Sequence, residues 1–83
     1  MPFFTYVLQS DTLNRNYYGS CHNLVERLSV HNKGKVKSTK AFKPWKIIYF
    51  EEFETRSEAY QRELFFKSSK GKLFLKEKGI LSV

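Results

Sequence analysis

Residues 3–34 read FFTYVLQSDTLNRNYYGSCHNLVERLSVHNKG, and the fold follows from how this stretch divides. Phe3-Phe4-Thr5-Tyr6-Val7-Leu8 is dense in aromatic and β-branched residues, which suit a pleated, half-buried surface, and Ser10-Asp11 follows with turn chemistry. Asn14-Arg15-Asn16 continues the turn and Tyr17-Tyr18-Gly19 resumes extended chain, so a β-hairpin is expected. Side chains alternate along a strand, which puts Tyr17 and Gly19 on one face and Tyr18 on the other. Asn23 stands three residues before Glu26, the capping-box spacing with Asn as the cap, and predicts a helix over about Leu24–Asn32 ended by Gly34. Leu24 and Leu28 form its apolar stripe at i, i+4, and Arg27 and His31 recur at the same interval on what is expected to be a different face.

Beyond this stretch the chain turns basic. Lys33, Lys35, Lys37, Lys40, Lys43 and Lys46 occur with no acidic residue between Glu26 and Glu51, and the Ser, Thr and Pro content predicts a loop over Lys33–Lys46. Ile47-Ile48-Tyr49-Phe50 reads as a central strand running on toward Phe53. Thr55 with Glu58 repeats the capping-box spacing and opens a second helix over about Arg56–Lys67. Gly71 is expected to interrupt, and Lys72–Lys78 to form a short third helix ended by Gly79.

Composition bounds what such a chain does. Its 83 residues leave room for one domain. The 41% hydrophobic and 17% aromatic content excludes a disordered basic tail. Fifteen Lys and Arg against eight Asp and Glu give a net charge of +7, which favours a polyanionic partner such as nucleic acid or an acidic membrane surface. No apolar run approaches the ~20 residues needed to span a bilayer. The lone Cys21 forms no internal disulfide and the N-terminus lacks a signal-peptide pattern, so a cytoplasmic location is expected. One Cys and two His argue against structural zinc.

The short Ser20-Cys21-His22 connection places Tyr17 beside a helix that projects Arg27 and His31. A phenol, a guanidinium and an imidazole suit phosphodiester chemistry: tyrosine or histidine relays a proton, and arginine holds phosphate oxygens and stabilises developing charge. Glu63, four residues after Ala59 and three before Phe66, puts a carboxylate on an otherwise apolar stripe. An inward carboxylate must be paired or bind a metal, and Mg²⁺ accepts one or two protein carboxylates, leaving its other positions to water and phosphate. Plainer roles stand beside these: Tyr6 and Tyr17 as sheet aromatics, Arg27 and His31 as a solvated helix face, Glu63 paired with Lys67 at i, i+4. His22 reads as a structural turn residue and Cys21 as an inert thiol. Phe42 and Trp45 either stack on unpaired bases or anchor the loop, with the anchor favoured for Trp45.

Taken in order, Phe4-Thr5-Tyr6, Tyr17-Tyr18-Gly19, Arg27 and His31-Asn32 in one helix and Glu63 in the next resemble the GIY-YIG nuclease superfamily. The likeness is to its short single-domain members and to the N-terminal nuclease domain of excinuclease, and it runs from about Phe3 to Ser69. It rests on the combination, including Asn23-Leu24-Val25-Glu26-Arg27-Leu28 and Arg56-Ser57-Glu58-Ala59, because either tripeptide alone is weak. The first tripeptide keeps only its tyrosine, and the second has Tyr18 where the name motif has isoleucine.

The resemblance implies an α+β fold, with a small three-stranded antiparallel sheet flanked by about three helices. In domain terms it implies a single unit over 1–83, with a core at 3–69 and a C-terminal helix and tail at 70–83. It further implies DNA phosphodiester cleavage with one Mg²⁺ or Mn²⁺ ion, leaving 5′-phosphate and 3′-hydroxyl ends, on branched or flapped DNA in repair or recombination. By position, Tyr6 and Tyr17 are the motif tyrosines, with Tyr17 activating or orienting the attacking water. Arg27 binds the scissile phosphate, His31 assists by hydrogen bonding or proton transfer, Glu63 holds the metal, and Gly19 allows close backbone approach. Larger relatives carry a separate DNA-binding domain. None is expected here, so Lys33, Lys35, Lys37, Lys40 and Lys43 are expected to hold nucleic acid, with a protein partner supplying targeting. The alternative is a basic nucleic-acid-binding module that keeps the fold without catalysis.

Overall fold

Strand β1 (Phe3–Ser10) turns back into β2 (Asn16–Cys21), and the Ser10 hydroxyl fixes the turn by accepting from the Leu13 amide at 3.1 Å and donating to the Phe42 carbonyl at 2.6 Å. Helix α1 (Leu24–Asn32) follows, then a 3₁₀ turn (Lys40–Phe42), strand β3 (Trp45–Phe53), and helices α2 (Arg56–Lys67) and α3 (Ser69–Glu77). The structure, a computed structural model, describes residues 2–81. The sheet runs β2-β1-β3 and is antiparallel throughout, which makes the fold α+β as expected. No helix among the described residues is long and apolar enough to cross a membrane.

As the central strand, β1 buries four consecutive residues, Thr5 to Leu8, because both faces of the sheet are covered. Alternation sorts them. Tyr6 and Leu8 join Trp45 in a core closed by Leu24 and Leu28 of α1; Val7 joins Phe66 of α2 and Leu75 of α3 in a second core. Register along β3 shifts by one residue: Leu8 faces Ile47 while Val7 faces Tyr49, leaving Ile48 as a bulge. Ile47 thereby stays with the first core and Tyr49 with the second.

The second core is roofed by a charge. The Arg62 guanidinium lies 4.6, 5.1 and 4.8 Å from the ring centres of Phe65, Phe66 and Phe74. It also donates to Glu51 through Nε at 2.8 Å and Nη2 at 3.2 Å, and the Tyr49 hydroxyl donates to the same carboxylate.

Both expected caps form. Asn23 accepts from the Glu26 amide, and Thr55 with Glu58 makes a reciprocal capping box. Two expectations need correction. Gly71 does not interrupt: α3 starts at Ser69, and Gly71 donates its amide to the Ser68 hydroxyl in the first turn. A Cβ there would stand 2.5 Å from the Phe65 carbonyl carbon and 2.7 Å from Phe66 Cα, so glycine lets α3 fold tightly against α2. The lysine-rich segment is not loop throughout either, since it contains the 3₁₀ turn and ends where β3 begins at Trp45. Trp45 is buried and donates Nε1–H to the Thr39 carbonyl at 2.9 Å, anchoring the segment as favoured. Ser82 and Val83 of the expected tail lie outside the described residues.

Candidate active site

Pairing in the hairpin sets Tyr6 opposite Gly19. The Tyr6 ring lies across that glycine: a Cβ on Gly19 would overlap the Tyr6 hydroxyl, stand 2.6 Å from Tyr6 Cζ, and approach Tyr17 Cε2 to 3.1 Å. The close approach expected at Gly19 is therefore made by a tyrosine ring.

Arg27 and His31 do not occupy a separate solvated face of α1. His31 is fully buried, the only buried residue of the helix, and Arg27 is half-buried. The reason is angular: at about 100° per residue, position 31 falls about 20° from position 24, inside the stripe that Leu24 and Leu28 define. The His31 ring packs edge-on against Tyr17, with centroids 4.8 Å apart, and against Tyr6 at 6.1 Å.

Both ring nitrogens of His31 have partners: Nε2 lies 3.1 Å from the Tyr6 hydroxyl and Nδ1 lies 2.8 Å from Thr39 Oγ1. Thr39 donates its own hydrogen to the Val36 carbonyl at 3.3 Å, so it accepts from Nδ1–H, and Nε2 accepts from Tyr6. This bonding suits the neutral imidazole. Burial, aided by the Arg27 charge, pushes the His31 pKa down to about 4. Asn32 secures the end of the helix by accepting from the Trp45 amide at 2.6 Å and donating to its carbonyl at 3.0 Å.

Burial pushes the Tyr6 phenol up to about 12, even though Arg27 beside it pulls the other way. The Tyr6 oxygen, chiefly, and that of Tyr17 hold Arg27 above its ordinary pKa. The guanidinium borders a polar pocket of about 220 Å³, which is also lined by Ser20, Cys21, Asn23, Glu26 and Arg56. Burial raises the Cys21 thiol as well, which disfavours the reactive thiolate.

Glu63 reaches the edge strand β2 from α2, at Ser20, which also lines the pocket beside Arg27. Ser20 donates to its Oε1 at 2.8 Å, and the Lys67 ammonium lies 2.8 Å from its Oε2. The pairing with Lys67 noted from the i, i+4 spacing therefore forms. Glu63, first of all, raises the Lys67 pKa, and the Tyr17 phenol contributes, so Lys67 stands between the two faces at the sheet edge. Among the described residues no three His, Cys, Asp or Glu converge on a metal position. A single oriented carboxylate suits Mg²⁺ or Mn²⁺, which bring water and phosphate ligands of their own, and suits zinc poorly. The Lys67 ammonium already occupies one of its oxygens.

Tyr6, Tyr17, Arg27 and His31 thus meet on the α1 side of β2, with Gly19 beneath the two tyrosine rings, and Glu63 meets the same strand from α2 through Ser20. Lys33, Lys35, Lys37, Lys40 and Lys43 are exposed, and none lines the pocket beside Arg27. Sequence reasoning passed over Thr39, Ser20 and Arg56. Strand alternation places Ser20 with Tyr18 on the α2 side, which would have found it. Thr39 lies in an irregular segment, where no periodicity points.

A family model described as the GIY-YIG catalytic domain matches residues 2–78. A UPF0213 protein of Pediococcus pentosaceus is 45% identical over 83 residues, covering 94% of this chain and 85% of that protein. The UPF0213 protein YazA of Bacillus subtilis is 38% identical over 79 residues, covering 90% and 79%. Among solved structures, the solution NMR structure of a UPF0213 protein from Bacillus halodurans superposes with a TM-score of 0.54 at 25% identity, covering 93% of this chain and 84% of that one. The motif order, the three-stranded sheet and the extent of these matches agree: the chain belongs to the GIY-YIG catalytic-domain family, a nuclease-type family acting on nucleic acid.

Proposed function

We propose that this protein is a metal-dependent endonuclease that hydrolyses DNA phosphodiester bonds, selects DNA by shape, and acts in repair or recombination. One observation carries the proposal: Arg27 is half-buried, borders an open polar pocket, and stands beside Tyr6, whose hydroxyl is fixed by the buried Tyr6–His31–Thr39 chain. A solvated structural arginine needs no such support, whereas a phosphate-binding one gains from it.

Arg27 holds the non-bridging oxygens of the scissile phosphate and balances the charge that develops on them. Tyr6 keeps its proton near neutral pH and directs it inward to His31, so its lone pairs face Arg27 and orient the guanidinium. Tyr6 and His31 are positioning residues, because both are buried. Tyr17 orients the attacking water through its hydroxyl oxygen. Glu63, aimed by Ser20, holds the ion. Bound there, Mg²⁺ or Mn²⁺ supplies Lewis-acid stabilisation of phosphate charge.

The test is nicking of supercoiled, flapped and cruciform DNA with Mg²⁺ or Mn²⁺ by the wild type, Arg27→Ala and Glu63→Ala. Wild-type cleavage that falls by about 10²-fold or more in each variant is the expected result. Cleavage that survives both substitutions overturns the assignment. The Lys67 ammonium on Glu63 favours a second reading, a nucleic-acid-binding module without turnover, and salt-sensitive binding with no nicking under either metal would decide for it.

A further inference from the structure

A second groove lies at the Asn16 end of β2, on the α3 side of the sheet. It encloses about 420 Å³ and is lined by Arg15, Asn16, Tyr18, Lys72 and Lys76, with no carboxylate among them. Among the described residues none of its three cations lies within ion-pair distance of an acidic group. Lys72 and Lys76 are an i, i+4 pair of like charge, an arrangement that destabilises a helix. Folding gains no ion pair from assembling three cations around a concavity; a bound polyanion supplies the missing negative charge.

The groove is also held in shape. The Arg15 guanidinium stacks 4.9 Å from the Phe42 ring centre, and the Asn16 amide donates to the Leu8 carbonyl at 3.2 Å. Lys72 and Lys76 project from a helix whose Leu75 is fully buried.

We infer that this groove is a second docking site for the DNA backbone, separate from the pocket beside Arg27. The inference takes DNA as the polyanion from the nuclease reading and rests on the groove alone for its chemistry. Helix α3, rather than the lysine-rich segment alone, supplies the hold. A lipid surface fits less well, because the cations line a concavity while Phe74 and Leu75 of α3 are committed to the core.

The experiment titrates fluorescent duplex and flapped DNA with the full chain in EDTA, across a range of salt. The variant is Arg15→Gln/Lys72→Gln/Lys76→Gln, checked by thermal melting, with Lys72→Gln/Lys76→Gln as a second variant should the triple one melt early. The logarithmic salt slope is expected to lose about 2–3 units in the triple variant and about 2 in the double. In the nicking assay KM rises while kcat at saturating DNA is kept, and ethylation interference marks phosphates beyond those that flank the cut. An unchanged slope in a folded variant overturns the inference and leaves the nuclease reading intact. A reduced slope in a protein that never nicks keeps the groove and discards the nuclease reading. Loss of sedimentation with phosphatidylcholine–phosphatidylserine vesicles, with DNA slopes unmoved, assigns the groove to membranes and overturns it.

Discussion

Acid should destabilise this protein through one buried side chain. His31 titrates near 4 in the folded protein, whereas an unperturbed histidine titrates near 6.5. The folded value is the lower one, so the unfolded chain binds the proton more readily: the His31 contribution is complete above about pH 6.5 and is lost as pH falls toward 4. A difference of about 2.5 pH units is worth about 3.4 kcal/mol in full, of which roughly 2 kcal/mol is expressed between pH 8 and pH 5. Glutamine at this position keeps one donor for Thr39 and one acceptor for Tyr6 without titrating, so subtracting the His31→Gln profile removes every other group. Urea denaturation at each pH reads the difference; with a slope of about 1–2 kcal/mol per molar, the wild-type midpoint should fall about 1–2 M further than the variant's. Parallel profiles for the two proteins, or an imidazole that titrates near 6.5 by NMR, would refute the buried neutral histidine and the hydrogen-bond chain built on it.

Gly19→Ala should cost about 1–3 kcal/mol, since the added methyl meets the Tyr6 ring; an unchanged urea midpoint would contradict that close approach. Thr39→Val should cost about 1–3 kcal/mol by leaving the His31 Nδ1–H without an acceptor, and Thr39→Ser should restore most of it; equal melting temperatures for the two variants would exclude the bond. Lys67→Gln frees Glu63 Oε2 and should tighten Mn²⁺ binding, followed by electron paramagnetic resonance, by up to about fivefold, the equivalent of one exposed ion pair. Unchanged or weaker Mn²⁺ binding would show that Lys67 does not occupy the cation's place.

The hairpin, both caps and the bounds of α1 and α2 were legible because each rests on local chemistry: aromatic runs, and Asn or Thr three residues before Glu. So was the gathering of Tyr17, Arg27 and His31, which one short connection nearly forces, whereas Tyr6 enters the site only through the family resemblance. His31 was misplaced for want of a helical-angle calculation, and the information for that was present. Gly71 was misread because a glycine that breaks a helix and one that admits a neighbouring helix look alike until the neighbour is placed. Thr39 and the groove of Arg15, Lys72 and Lys76 depend on contacts between distant segments, and no spacing along the chain announces them.

Arg62 has a practical consequence for anyone measuring this protein's stability. Its head group, set on three phenyl rings and a carboxylate, is chemically the cation of guanidinium chloride. That denaturant does more than solvate the unfolded chain: it is a competitive ligand for the roof of the second core, and its chloride screens the Glu51 pair as well. Urea has neither action. The guanidinium chloride slope therefore includes loss of the roof as well as exposure of the core, and the urea slope reports exposure alone.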